Sequence, residues 1–189
     1  RISCGGGGIG FNFSKIRPKG DDIGNVKNSS PGAVSVMKMI NEVGNHVKAG
    51  KNRRTALMAE LNVEHPDLLE FLHVKLDLNS LSNFNISVAI NDDFIKACEK
   101  DKEWTFKFGN KEYYVFSVDR VSPDGTTKKI QIVALSEEDA ASRGSNHYLW
   151  HPDDKFLNIE RVEYKAIDLW NRLWDNAVES GDPGIFNLS

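Results

Sequence analysis

Cysteine is scarce in this chain of 189 residues, which has only Cys4 and Cys98. Two cysteines cannot build a disulfide framework or a four-cysteine metal site, and they favour a reducing, cytoplasmic compartment. No apolar run approaches the roughly 20 residues of a membrane-spanning helix. The formal net charge of -3 argues against a strongly basic nucleic-acid-binding domain. Apolar residues make up 40% of the chain, which is enough for a substantial core.

Glycine, in contrast, is concentrated near the start of the chain, at Gly5 to Gly8 and at Gly10. A backbone without side chains can approach a ligand closely and can adopt positive φ. Ile9 to Ser14 then has the pattern of a short strand. Three cations occupy alternate positions after it: Lys15, Arg17 and Lys19. Bare amides beside closely spaced cations suit a phosphate-bearing ligand.

The glycine run has other interpretations. A dinucleotide-binding fingerprint needs a strand before it and a helix after it, whereas here a strand follows and Pro18 comes soon after. A P-loop needs Gly-Lys-Ser or Gly-Lys-Thr after the glycines, and that pair is missing. A purely structural turn, with the cations simply solvated, stays open as an alternative.

Apolar spacing predicts alternating strands and helices over most of the chain. Ser30 and Pro31 are typical of a helix start, and this helix is expected to reach residue 48. The other predicted elements are a strand at 56–63, a short helix at 65–75, a strand at 84–90, a helix after the cap Asn91, a helix at 160–180 with Trp170 and Trp174 in the core, and a strand at 185–188. The alternation favours an α/β architecture with helices packed on a sheet or barrel.

A β-rich, charged block at 102–158 interrupts this alternation. A hairpin over 104–118 and a turn at 123–125 lead into a strand at 129–135. Residues 136–155 are acidic and polar, and we expect them to be irregular. The chain therefore divides into an N-terminal part at 1–101, an insertion or lobe at 102–158, and a helix and strand at 159–189.

Five segments carry a resemblance to a known family, and they follow one another in a fixed order. They are Gly6–Ser14 with Ile16-Arg17-Pro18 behind it, Ser29–Ser35, Arg53-Arg54 with His65-Pro66-Asp67 behind it, Asn83–Val88, and Ser180–Gly184. Together they resemble the catalytic subunit of ribonucleotide reductase, most of all its adenosylcobalamin-dependent class. The resemblance implies part of a ten-stranded α/β barrel with a β-hairpin-rich insertion.

The same resemblance implies an enzyme that converts ribonucleoside di- or triphosphates to 2′-deoxyribonucleotides by thiyl-radical chemistry. The implied partners are a ribonucleotide substrate, a deoxynucleoside triphosphate effector, a thioredoxin-like or glutaredoxin-like reductant, and a second copy of the subunit in a homodimer. Adenosylcobalamin is the implied radical source. A di-iron or iron-manganese radical subunit is the alternative.

Binding residues are implied position by position. Gly6, Gly7 and Gly8 are expected against the substrate ribose, where any Cβ would collide. Residues 15–29 correspond to a first specificity loop, and 48–56 to a second loop between effector and substrate. The expected effector-binding residues are Lys15, Arg17, Lys51 and Asn52, and Arg53 is expected to reach the substrate. The departures Ala49, Gly50-Lys51 and Thr55 make the second loop bulkier and more basic than is usual in the family.

No catalytic residue is expected within this chain. The family's radical cysteine and both redox cysteines fall outside the five segments, and Cys4 matches neither redox cysteine. The chain also begins with Arg1 and ends at Ser189 just after a strand-like piece. We therefore expect a fragment of a longer polypeptide that is inactive by itself.

A different class of function stays open from the residues alone. A non-catalytic nucleotide- or nucleic-acid-binding α/β module could use the same two basic loops. Arg53 and Arg54 also have a simple explanation at a helix C-terminus, where cations interact favourably with the helix dipole. His147 and His151 have the spacing of a helical metal site, but Pro152 favours an irregular segment and no third ligand is near. We predict no metal site.

Overall fold

The computed structural model describes residues 7–46, 55–75, 80–145 and 153–187. In chain order the elements are β1 (Gly8–Asn12), α1 (Gly32–His46), β2 (Ala56–Asn62), α2 (Leu68–His73), β3 (Phe84–Ile90), α3 (Asp92–Glu99), β4 (Phe106–Phe108), β5 (Lys111–Val121), β6 (Thr127–Ala134), α4 (Glu137–Ser145), β7 (Lys155–Val162), α5 (Ala166–Ser180) and β8 (Gly184–Asn187). None of the helices within these ranges is both long and apolar enough to cross a membrane.

Four parallel strands form the main sheet in the order β1-β2-β3-β8. Parallel neighbours need crossover connections, and α1 and α2 lie in the first two. One face of the sheet shares a core with the helices, built from Leu57, Ala59, Leu61, Ile86 and Val88 on the strands and Val34, Met37, Leu169 and Leu173 on the helices. The predicted α/β architecture is confirmed, with a parallel sheet at its centre.

Sequence patterns within a few residues correctly predicted most of the helices and strands around this sheet. The strand predicted at 84–90 is β3, and Asn91 caps α3 by accepting a hydrogen bond from the Phe94 N–H at 2.9 Å. Trp170 packs near Phe94, with 6.4 Å between ring centroids. The core expectation was wrong for Trp174, which is 59% exposed. The buried stripe of α5 consists of the smaller side chains Ala166, Leu169, Leu173 and Asn176 instead.

The block predicted to be β-rich forms a second sheet, which is antiparallel. β5 pairs with β4, β6 and β7, and α4 packs against it through a small core of Phe116, Val118, Ile132, Ala134 and Ala140. We call β4–β7 together with α4 the hairpin lobe. β7 crosses residue 158, where we expected the lobe to end.

Two predictions for this part of the chain were wrong. Residues 136–155, expected to be irregular, contain α4. Ser136 Oγ accepts the Asp139 N–H at 3.2 Å and Asp139 Oδ2 accepts the Leu135 N–H at 2.8 Å, which is a capping arrangement. The helix predicted from Glu160 begins at Ala166, because residues 160–162 pair with β5 as part of β7. Pairing with a distant strand outweighed the local helical spacing.

Candidate functional site

The face of the main sheet opposite the helices carries small and polar residues together with the exposed Met58. Exposure alternates along β1, so that Gly8, Gly10 and Asn12 lie on the open side of the strand. The strand register aligns Asn12 with Glu60 of β2, and Glu60 with Ser87 of β3. Side chains two apart in a strand share a face, so these residues form one surface that begins at the glycine run.

The glycines of this surface are not demanded by the scaffold. A Cβ placed on Gly10 would meet no atom within 4 Å, and one on Gly8 would lie 3.5 Å from the Ala56 carbonyl oxygen, an ordinary contact. Neither glycine has positive φ, so the conformational freedom we expected of the run is not used at these two positions. Gly7 is exposed just before β1, and Gly6 lies outside the described residues. What the glycines provide here is bare, accessible backbone.

Two polar pairs extend this surface beyond the glycines. Asn12 Nδ2 donates to Glu60 Oε1 at 2.7 Å. Ser14 Oγ donates to Asn62 Oδ1 at 3.0 Å and accepts the Asn62 N–H at 2.9 Å. Our sequence analysis did not single out these four residues. A pattern in the sequence could have found them. Asn12 and Ser14 are polar residues two positions apart in an extended segment, and so are Glu60 and Asn62, so the two members of each pair lie on the same face.

The cations that follow β1 separate into two kinds. Lys15 and Arg17 are exposed, and Arg17 Nη1 donates to the Asp22 carbonyl oxygen at 2.7 Å. Lys19 instead turns inward, where its Nζ lies 3.1 Å from Glu70 Oε1. Lys19 therefore differs from the other two cations of the alternating set, and it is not among the residues expected to bind the effector. Burial raises the pKa of Glu70, and the nearby Lys19 opposes that rise without cancelling it.

The segment 15–29, for which the resemblance implies effector binding and which we call the effector loop on that account, is anchored by His65 and Asp67. His65 Nδ1 accepts the Asp67 N–H at 3.0 Å, so Nε2 carries the proton and donates to the Ile16 carbonyl oxygen at 2.8 Å. Asp67 accepts the Lys19 N–H at 2.9 Å and the Ala33 N–H at 2.8 Å. Both anchoring side chains are buried. This accounts physically for His65-Pro66-Asp67 among the five segments.

The return of the effector loop into α1 requires a glycine at position 32. Gly32 has φ +78°, and a Cβ there would lie 2.7 Å from Lys19 Cβ and 2.8 Å from Asp67 Oδ2. Ser30 Oγ donates to the Arg17 carbonyl oxygen at 2.9 Å and accepts a long hydrogen bond from the Gly32 N–H at 3.4 Å. The two ends of the loop therefore meet at one buried point, and Asp67, which is distant in sequence, binds the second amide of α1.

The second predicted loop lies mostly outside the described residues, and so do Lys51, Asn52 and Arg53. Its borders are described. Thr55 is buried, and its Oγ1 donates to the Gly44 carbonyl oxygen at 3.2 Å. Asn83 Nδ2 donates to Asn45 Oδ1 at 2.6 Å. These bonds hold the end of α1 beside the starts of β2 and β3, so the described residues on either side of the second loop lie near the glycine end of the sheet.

Metal and thiol chemistry have little support from the described part of the chain. Residues 7–46, 55–75, 80–145 and 153–187 contain no group of three potential metal ligands, and His147 and His151 lie outside those ranges. Cys98 is partly buried against the main core, and burial raises the pKa of its thiol. A thiol of that kind stays protonated at neutral pH, which does not suit a redox role.

Comparisons with known proteins bear on the family of this chain. The family model described as the ribonucleotide reductase barrel domain matches residues 1–189. A vitamin B12-dependent ribonucleoside-diphosphate reductase of Thermoplasma acidophilum is 35% identical over 188 residues, which is 99% of this chain and 18% of that protein. A protein of the same description from Mycobacterium tuberculosis is 38% identical over 97 residues, 51% of this chain and 14% of that protein.

A third relative is described as the large subunit of a ribonucleoside-diphosphate reductase in Caenorhabditis elegans. It is 31% identical over 109 residues, 55% of this chain and 14% of that protein. The chain thus spans under a fifth of the length of each of these three relatives. Their descriptions favour a reductase over a non-catalytic binding module. By the match along its whole length, the chain belongs to the ribonucleotide reductase family and is part of the barrel domain of such an enzyme.

Proposed function

We propose that this chain forms one wall of the substrate site and the specificity loop of an enzyme that reduces ribonucleotides to 2′-deoxyribonucleotides. The observation that carries the proposal is that two features follow each other directly along the chain. β1 presents bare backbone on the open face of the sheet and then leads directly into the effector loop. A sugar and a phosphate-bearing regulator would then bind at opposite ends of the same short segment.

The substrate ribose lies, in this proposal, against Gly6, Gly7 and Gly8. Radical abstraction of a ribose hydrogen needs the sugar held within a narrow distance of the reacting group, and a Cβ would keep it away from the backbone. Gly8 supports this assignment because the scaffold leaves ordinary space for a side chain there. Gly6 and Arg53 are assigned on the family resemblance.

The effector, a deoxynucleoside triphosphate, binds in this proposal to the effector loop and the second loop. Lys15 and Arg17 are exposed cations, and Arg17 is already oriented by the Asp22 carbonyl oxygen at 2.7 Å. Guanidinium groups recognise phosphate through paired hydrogen bonds. Lys51 and Asn52 complete the proposed set from the second loop, and are assigned on the resemblance.

The radical cofactor in this proposal is adenosylcobalamin, and the two relatives described as vitamin B12-dependent support it over an iron-containing radical subunit. When bound, the cofactor would supply the radical. A Cβ on Gly10 would meet no atom within 4 Å, so the backbone there is accessible to a ligand. The thiyl radical and the redox cysteines come from another part of the enzyme, because Cys98 packs against the core. A thioredoxin-like or glutaredoxin-like protein would restore them in a reducing, cytoplasmic compartment.

The rest of the barrel and a second subunit complete the proposed enzyme. β1 and β8 are the outer strands of the described main sheet, and further strands at these edges would extend it towards a ten-stranded barrel. Met39 and Val43 on α1 are 64% and 59% exposed, and exposed apolar side chains of this kind suit a protein interface. A homodimer formed through α1 would bring effector loops of two subunits close to each other.

The test uses the full-length enzyme that contains this chain, with a ribonucleotide, adenosylcobalamin and a dithiol. We expect deoxyribonucleotide formation in the wild type and its loss in Gly8→Val, because the added side chain occupies the place of the sugar. The fold should persist, since Gly8 is exposed and lacks positive φ. Val178→Ala is the control, because Val178 is 74% exposed on α5 and has no proposed role in binding. A wild type that forms no product, or a Gly8→Val variant with normal turnover, contradicts the proposal.

A further inference from the structure

The hairpin lobe reaches back to the effector loop through one buried ion pair. Arg143 Nη2 of α4 lies 2.6 Å from Asp21 Oδ1, and the two side chains are only 8% and 3% exposed. Arg143 Nη1 also donates to the Lys19 carbonyl oxygen. The backbone there is shaped for this contact, because Gly20 has φ +77° and a Cβ on it would lie 2.9 Å from Arg143 Cγ. Arg143 thus binds the loop on both sides of Gly20, at Lys19 and at Asp21.

The lobe engages the second oxygen of the same carboxylate as well. Tyr113 Oη donates to Asp21 Oδ2 at 2.7 Å, and Lys111 Nζ lies 3.3 Å from that oxygen. Burial and the hydrogen bond to Asp21 raise the pKa of Tyr113, so the hydroxyl remains a donor. Asp139 Oδ2 holds the Arg143 Nε at 2.7 Å. Asp21 is therefore surrounded by the lobe and oriented by three of its side chains.

The Arg143 guanidinium stays charged at physiological pH. Burial by itself lowers the pKa of Arg143, but Asp139 and Asp21 outweigh that effect and the pKa lies above its ordinary value. A charged hydrogen bond that is shielded from water is stronger and more directional than an exposed one. The ion pair can therefore hold the position of the loop, whereas the exposed pair of Lys27 with Asp22 at 3.2 Å is only weakly constraining.

A short series of contacts connects this ion pair to Arg17, the side chain proposed to bind the effector. Asp21 precedes Asp22, whose carbonyl oxygen accepts the hydrogen bond from Arg17 Nη1 at 2.7 Å. The Asn28 side chain, on the returning part of the loop, donates to Ser142 Oγ beside Arg143. Movement of the loop at Asp21 would therefore move the group that orients the Arg17 guanidinium.

We propose that Arg143 is a positioning residue of the specificity site: the hairpin lobe sets the conformation of the effector loop through the Arg143–Asp21 ion pair, and so sets the affinity for the effector. The inference rests on the proposed role of Arg17 in effector binding. It assigns the lobe a regulatory part in the enzyme.

The experiment measures the dissociation constant of a deoxynucleoside triphosphate in the full-length enzyme, for wild type, Arg143→Gln, Arg17→Ala and the double variant. We expect Arg143→Gln to weaken effector binding about tenfold, the size of coupling between residues in one network. Arg143→Lys should restore part of the affinity, since it keeps the charge beside Asp21. Arg161→Gln is the matched control, because Arg161 belongs to the same lobe but pairs with Glu103 at 2.8 Å on its surface.

The double variant separates positioning from a general structural role. If Arg143 acts through Arg17, Arg143→Gln should have no further effect once Arg17 is alanine. Additive losses of affinity overturn the inference, and so does an affinity within about twofold of wild type in Arg143→Gln. Should Arg143→Gln fail to fold, Asp21→Asn is tested in its place with the same expectations. A wild type without effector affinity, or an Arg17→Ala variant that binds normally, overturns the proposed effector site and this inference with it. A loss confined to Arg17→Ala overturns this inference alone.

Discussion

Replacement of Asp67 should release the effector loop from the start of α2. Its carboxylate is buried and accepts two backbone hydrogen bonds, from the Lys19 N–H at 2.9 Å and from the Ala33 N–H at 2.8 Å. A hydrogen bond to a charged group contributes about 1.5–3 kcal/mol. Asp67→Ala removes both acceptors, so the local cost is about 3–6 kcal/mol in total. Asp67→Asn keeps one acceptor oxygen and should lose about half of that.

Hydrogen exchange in the full-length enzyme measures this loss where it occurs. In Asp67→Ala, we expect the Lys19 and Ala33 amides to exchange about 10- to 150-fold faster, which is the same energy expressed for each amide. Asp67→Asn should affect one of the two amides more than the other. Asp93→Asn is the control, since Asp93 is exposed on α3 and makes only a long ion pair with Lys96 at 3.7 Å. Unchanged exchange at both amides in Asp67→Ala would refute the reasoning.

Two further predictions concern the same anchor. Gly32→Ala should destabilise the start of α1 by about 1–3 kcal/mol, because the residue has φ +78° and its Cβ would lie 2.7 Å from Lys19 Cβ. Hydrogen exchange of the α1 amides measures this loss. Amides that exchange as slowly as in the wild type would contradict the requirement for glycine. Burial raises the pKa of Glu70, so the folded state retains a proton that the unfolded state has released. The stability of α2 in wild type relative to Glu70→Gln should therefore fall as pH rises above the ordinary value of 4.5; a difference that does not change with pH would contradict it.

The predicted elements that proved correct have signals within a few residues. Asn91 caps α3, and Gly181 ends α5 with φ +77°; both depend on bonds to immediate neighbours. α4 had such a signal too, in Ser136 and Asp139, but the acidic composition around it obscured the cap. The start of α5 could not be predicted from neighbouring residues, because residues 160–162 pair with the distant strand β5.

The proposed site shows the same division. The glycine run and the two exposed cations were found from sequence, and their binding roles stay predictions. Lys15, Arg17 and Lys19 look alike as alternate cations, and only the approach of Glu70, 51 residues away, separates Lys19 from the others. The partners of Asp21 were also out of reach, since Arg143 lies 122 residues further along the chain.

The sequence by itself determined the strands and helices of the main sheet, the bare backbone of β1 and, through five ordered segments, membership of the ribonucleotide reductase family. The tertiary structure alone decided which charges of the effector loop face solvent and which are bound, and that the hairpin lobe holds this loop through Asp21. The physical reason is the distance along the sequence over which each interaction acts. Capping and turn formation act over a few residues, whereas a buried ion pair forms only after folding has brought distant segments together and excluded water from between them.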